Sequence, residues 1–84
     1  MQQQEFDRLV ERTCSVTVTD PTAPLVDLGV DSLHTIALVM AVEEAYGIEF
    51  DPDTLTRLAL ASSAALREAA EDRAAATPRV GTGN

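Results

Sequence analysis

Apolar residues recur along most of this chain at three- and four-residue intervals, the period of amphipathic helices rather than of strands. Phe6, Leu9, Val10 and Thr13 form the first such stripe and predict a helix from Met1 to about Thr13. Glu5, Asp7, Arg8, Glu11 and Arg12 occupy its other faces. Asp7/Glu11 and Arg8/Arg12 are like-charged i,i+4 pairs, so packing rather than propensity must hold this helix. Leu38, Val39, Val42 and Tyr46 form the second stripe, within a long helix predicted over Ser32–Tyr46. Gly47 follows as a left-handed C-terminal residue, and Asp31 precedes as the N-cap.

Asp51-Pro52-Asp53 starts a short third helix, with Asp51 as cap and Pro52 at the first position, where its missing N–H costs little. Leu55, Leu58 and Leu60 are expected to face inward, and Ile48 and Phe50 to tuck into the core. A last helix is expected from Ser62 or Ser63 to about Ala75, with Leu66, Ala69, Ala70 and Arg73 at helical spacing. The segment between the first two helices reads differently. Cys14–Thr19 alternates apolar and polar residues as a strand would, but no second strand exists to pair with it, so an extended loop is expected. Pro21 and Pro24 forbid helix there, leaving Leu25 and Leu28 to pin a long loop onto the helices.

These elements make an all-α fold, a small bundle of three main helices plus one short helix. One domain over 1–76 and a disordered tail over 77–84, which has Pro, two Gly and little to bury, are expected.

Composition narrows the functions. Fourteen carboxylates stand against six basic residues, all arginine, for a formal net charge of −8. Such a surface repels nucleic acid and anionic membranes and attracts partners with basic patches. Cys14 is the only cysteine, which excludes an internal disulfide and a cysteine-rich metal site. No basic leader or apolar run of spanning length is present, so a cytoplasmic monomer is the expectation.

Ser32 is the residue around which the chemistry turns. It sits at a helix start, where backbone N–H groups lack internal partners and the peptide dipoles leave positive charge, a setting suited to an attached phosphate. Asp27-Leu28-Gly29-Val30-Asp31-Ser32-Leu33 resembles the attachment motif of acyl carrier proteins, and the similarity continues through Glu43-Glu44-Ala45-Tyr46-Gly47-Ile48. The resemblance implies an acyl-carrier-like bundle and a phosphopantetheine arm bound covalently to Ser32, with Asp31 and Leu33 as motif flanks. It also implies a function: tethering acyl intermediates as thioesters for polyketide or fatty-acid-like biosynthesis. Its partners would be a phosphopantetheinyl transferase and an acyltransferase, ketosynthase or acyl- or aminoacyl-loading ligase. Many fatty-acid carriers are acidic at the positions of His34 and Ala37. Their absence here points to a specialised partner set, as in secondary metabolism, served by a face that holds His34, Ile36, Ala37, Met40, Glu43 and Glu44.

Two rivals stand beside this reading. A peptidyl carrier uses the same arm, but such carriers more often show Gly-Gly where this chain has Gly29-Val30. A non-catalytic acidic adaptor, with Ser32 unmodified, belongs to another class. Catalysis by the chain itself is rejected: Ser32 and His34, two apart on a helix, point apart, and no second histidine exists to build a triad. Asp51-Pro52-Asp53 lacks the glycine and the distal glutamate of a calcium loop. Cys14 is expected to be an apolar filler, and Met40 either interface or core.

Overall fold

The computed structural model describes residues 1–58 and 61–76, the side chains of Leu55, Thr56 and Leu58 excepted. The expectations for Leu55, Leu58, Leu60 and the 77–84 tail lie outside the described residues. Four α-helices run in order: α1 Gln3–Cys14, α2 Ser32–Tyr46, α3 Pro52–Leu58 and α4 Ser63–Ala76, with a single 3₁₀ turn at Leu25–Leu28. The fold is all-α, as the periodicity predicts. Helices α1, α2 and α4 pack against one another in pairs.

Helix α1 runs one residue further than its expected stop. That extension turns Cys14 from a loop residue into the third rung of a buried i, i+4, i+8 ladder with Phe6 and Val10, while Thr13 is only half-buried. Ser15 then takes a left-handed conformation (φ 56°) and donates its N–H to the Glu11 carbonyl, ending the helix without a glycine. The like-charged pair Asp7/Glu11 is relieved because donors claim both carboxylates. Ser63 Oγ donates to Asp7 Oδ1 at 2.6 Å, Gln3 Nε2 at 2.8 Å to the same oxygen, and the Val18 N–H to Glu11 Oε2 at 2.8 Å. Ser63 is fully buried, so the first of these bonds joins α1 to α4 inside the core.

The long connection is a loop, as expected, and its tethers are backbone as much as apolar. The Leu25 N–H donates to the Ala61 carbonyl and the Ala64 N–H to the Pro21 carbonyl, while Val16 and Val18 lean on the core half-buried. Leu25 is the buried anchor; Val30, rather than the half-buried Leu28, is the second. Ile48 and Phe50 are buried after α2. In α4, Leu66 and Ala70 face inward and Ala69 and Ala74 lie half-buried against the core. Arg73 departs from the expected inward series: it is exposed and donates from Nε to the Glu49 carbonyl at 2.9 Å. Burying its guanidinium would require a partner charge that the alanine-rich face cannot supply.

Candidate attachment site

The turn before α2 sets where its first residues point. Gly29 has φ +98°, a conformation L side chains rarely adopt, and donates to the Val26 carbonyl. Val30 is then buried and Asp31 becomes extended (φ −90°, ψ −177°), so Ser32 enters the helix as its first residue. Ser32 is exposed, and its hydroxyl makes no hydrogen bond among the described residues.

Asp31 caps α2. Its Oδ1 accepts the His34 backbone N–H at 2.8 Å and lies 2.8 Å from His34 Nδ1. The backbone N–H first, and the ring second, hold the Asp31 carboxyl below its usual range. The ring of His34 is therefore turned to Asp31 and away from Ser32, which removes it as a base for the Ser32 hydroxyl. The Thr35 hydroxyl donates to the Asp31 carbonyl at 2.8 Å and stiffens the same turn. Beneath it, Cys14 Sγ sits 3.7 Å from the His34 carbonyl oxygen, and burial first, with the nearby Asp31 charge second, pushes the thiol's pKa up. Cys14 is a buried filler in neutral form, as its sequence context predicts.

Along α2, Leu33, Ile36 and Met40 are exposed at i, i+3 and i+7, with Ala37 and Glu44 exposed between and below them. Leu33 is 78% exposed and Met40 63%, which settles Met40 as surface rather than core. A shallow groove of about 210 Å³, lined by Thr35, Ile36, Val39, Met40 and Glu43, runs along the edge of this face. Two residues expected on the face are engaged within the chain instead. His34 is half-buried against Asp31, and Glu43 turns its Oε2 to the Phe50 N–H at 2.8 Å, fastening the loop after α2. Sequence reasoning treated Leu33 only as a motif flank and passed over Val26, which is 51% exposed on the 3₁₀ turn. The 33/36/40 spacing, offset from the 38/39/42/46 core stripe, was the signal available for Leu33.

Asp51 is a cap and not a metal ligand in this arrangement: its Oδ1 accepts the Thr54 N–H at 2.7 Å. Among the described residues no cluster of His, Cys, Asp and Glu could hold a metal ion, and no helix is long and apolar enough to cross a membrane.

Residues 4–69 match the phosphopantetheine attachment site family, a span that takes in α1 to α3 and the first half of α4. The chain belongs to that family. Its members are carriers: they bear phosphopantetheine covalently on a serine, hold acyl or peptidyl groups as thioesters, and work with phosphopantetheinyl transferases and biosynthetic enzymes. No solved structure matches the chain. The residues present fit the group. Ser32 offers an exposed, uncommitted hydroxyl at a helix start, where the unpaired N–H groups and the dipole accommodate a phosphodiester.

Proposed function

We propose that Ser32 is the attachment residue and that the protein is an acyl carrier of a polyketide or fatty-acid-like pathway. The observation that carries this reading is the placement of Asp27–Leu33: a glycine turn, a buried valine, a capping aspartate and then a free serine as the first helical residue. When bound, the arm supplies a terminal thiol that holds the cargo as a thioester. The chain itself contributes position and recognition. Gly29 and Asp31 fix the direction of the Ser32 hydroxyl, and Leu33, Ile36, Ala37 and Met40 give partner enzymes an apolar face to desolvate, with Asp31 and Glu44 as charged margins. Partners in this reading are a phosphopantetheinyl transferase and an acyltransferase, ketosynthase or loading ligase. Apolar Ile36 and Ala37 on that face, with half-buried His34 in place of an acid, favour a specialised set of enzymes, as in secondary metabolism. Gly29-Val30 favours acyl over aminoacyl cargo.

The test is the intact mass of the protein after incubation with coenzyme A and a phosphopantetheinyl transferase. Wild type gains one arm and Ser32→Ala gains none. A Ser32→Ala protein that still acquires the arm overturns the assignment.

A further inference from the structure

Between Leu25 and Tyr46 the chain carries Asp27, Asp31, Glu43 and Glu44 and neither lysine nor arginine, a formal charge of −4. His34 is the only group in this stretch able to become positive, which would bring the charge to −3. Its side chain is 44% exposed and that of Asp31 63%, so both meet whatever docks over Ser32. Asp31 Oδ1 carries both bonds from His34, the backbone N–H and the ring, each at 2.8 Å. A carboxylate facing Nδ1 fixes the neutral ring as the Nδ1–H tautomer and leaves Nε2 free as an acceptor. The titratable groups that face the ring are Asp31 on its own helix and, from α1, Cys14 beneath the same turn.

We propose that His34 is a specificity-determining residue of the attachment site, whose protonation weakens docking of a transferase that presents cationic groups to the acidic start of α2. The inference rests on the carrier reading and adds its regulation. While the ring is neutral, the exposed part of Asp31 remains a full negative charge for an arginine or lysine of the partner. Once the ring is protonated, the same carboxylate is paired within its own chain, and a positive charge stands beside the serine. An imidazole makes that change within the range of ordinary buffers, which a carboxylate at this position would not. The effect falls on association rather than on transfer, because His34 does not touch the Ser32 hydroxyl.

The experiment measures kcat and KM of a phosphopantetheinyl transferase for the apo protein and for His34→Gln between about pH 5.5 and 8.5. Taking the ratio of the two proteins at each pH cancels titration of the enzyme. The KM ratio, wild type over His34→Gln, should stand near one at the alkaline end and climb about two- to five-fold at the acid end, with the kcat ratio flat. A flat KM ratio overturns the inference. If His34→Gln does not fold, the wild type suffices. His34 is the sole histidine, so its ring titration can be followed by NMR alone and in complex with the enzyme. Linkage requires the midpoint to fall on complex formation, and an unchanged midpoint overturns the proposal. Failure of wild type to take the arm at any pH would instead sink the carrier reading, and this inference with it.

Discussion

The Tyr46 hydroxyl donates to Glu71 Oε2 at 2.5 Å, joining the last turn of α2 to the middle of α4 at the end of the bundle opposite Ser32. The Tyr46 ring also packs at a tilt against Phe6 of α1, centroids 6.5 Å apart, so one side chain touches all three main helices. Burial first and Glu71 second push the phenol's pKa up, while the phenol's hydrogen bond is the leading cause of the lowered Glu71 carboxyl. Tyr46→Phe keeps the ring and its Phe6 contact but removes this bond. A modest drop in melting temperature is expected, because Glu71 regains water. Loading at Ser32 should stay unchanged, since the bond lies a full helix length away. Calorimetry and the mass assay check the two halves separately.

Leu38 and Ile36 are two residues apart in α2 and should behave as opposites. Leu38 is fully buried, and Leu38→Ala should cost about 2–5 kcal/mol in denaturant unfolding. Ile36 is 59% exposed, and Ile36→Ala should change stability by no more than about 0.5 kcal/mol. Its effect belongs to partner kinetics, as a raised KM in loading. A large stability loss from Ile36→Ala would place that side chain in the core and dissolve the docking face.

Legibility of the fold followed the strength of local chemistry. The bounds of α2 were readable to the residue because both ends are marked, by Asp31 as cap and by Gly47 at φ 67°. The end of α1 was not, because Ser15 supplies the left-handed turn and the Cys14–Thr19 alternation competes with the helical period. The Leu25–Leu28 turn is too short to show a period and leans on a bond to Ala61, far off in sequence. At the site, Ser32 and its flanks were legible from the motif. Glu43 misled because its partner, the Phe50 N–H, exists only once the chain has turned at Gly47. The His34 bond had a visible sign: His34 holds the third helical position after the Asp31 cap, where a polar side chain reaches back to the helix start.

Two glycines separate backbone strain from function. Gly29→Ala and Gly47→Ala each place a Cβ on a residue at positive φ, and each should cost about 1–2 kcal/mol. Crowding adds nothing in either case: the new carbon would meet Val16 Cγ1 at 3.9 Å at Gly29 and no atom within 4 Å at Gly47. Only Gly29 aims the Ser32 hydroxyl. Loading should therefore slow in Gly29→Ala and stay at the wild-type rate in Gly47→Ala, measured well below both melting temperatures. Equal loading by both would mean that the turn does not orient the serine.

Stability should fall away on both sides of neutrality, for different groups. Asp20, Asp31 and Asp51 are all held below their usual range by hydrogen bonds, led by Thr22, His34 and Thr54 respectively. The unfolded chain therefore takes up protons first as pH drops from about 4, and the stabilisation disappears through the lower folded values. On the alkaline side, burial keeps the Cys14 thiol protonated after the unfolded thiol, at about pH 8.5, has ionised, so stability declines as pH rises above that point. Cys14→Ala should flatten this alkaline limb in a plot of melting temperature against pH while leaving the acid limb in place. An alkaline limb that persists near pH 8.5 would assign it to some other group.

Ala37 offers the most direct trial of what the outer face of α2 recognises. It is exposed among Leu33, Met40 and Glu44, and a longer side chain there meets solvent rather than core. Ala37→Glu should therefore leave the melting temperature nearly unchanged. If partners desolvate an apolar face, the carboxylate must be buried without a partner charge or must hold the surfaces apart, and productive association falls. A raised KM, several-fold, is expected for the native loading enzyme, with little change in kcat. Restoration by an arginine placed opposite it in that enzyme would locate the contact. Unchanged kinetics would remove Ala37 from the docking surface and shift recognition to the charges flanking Ser32.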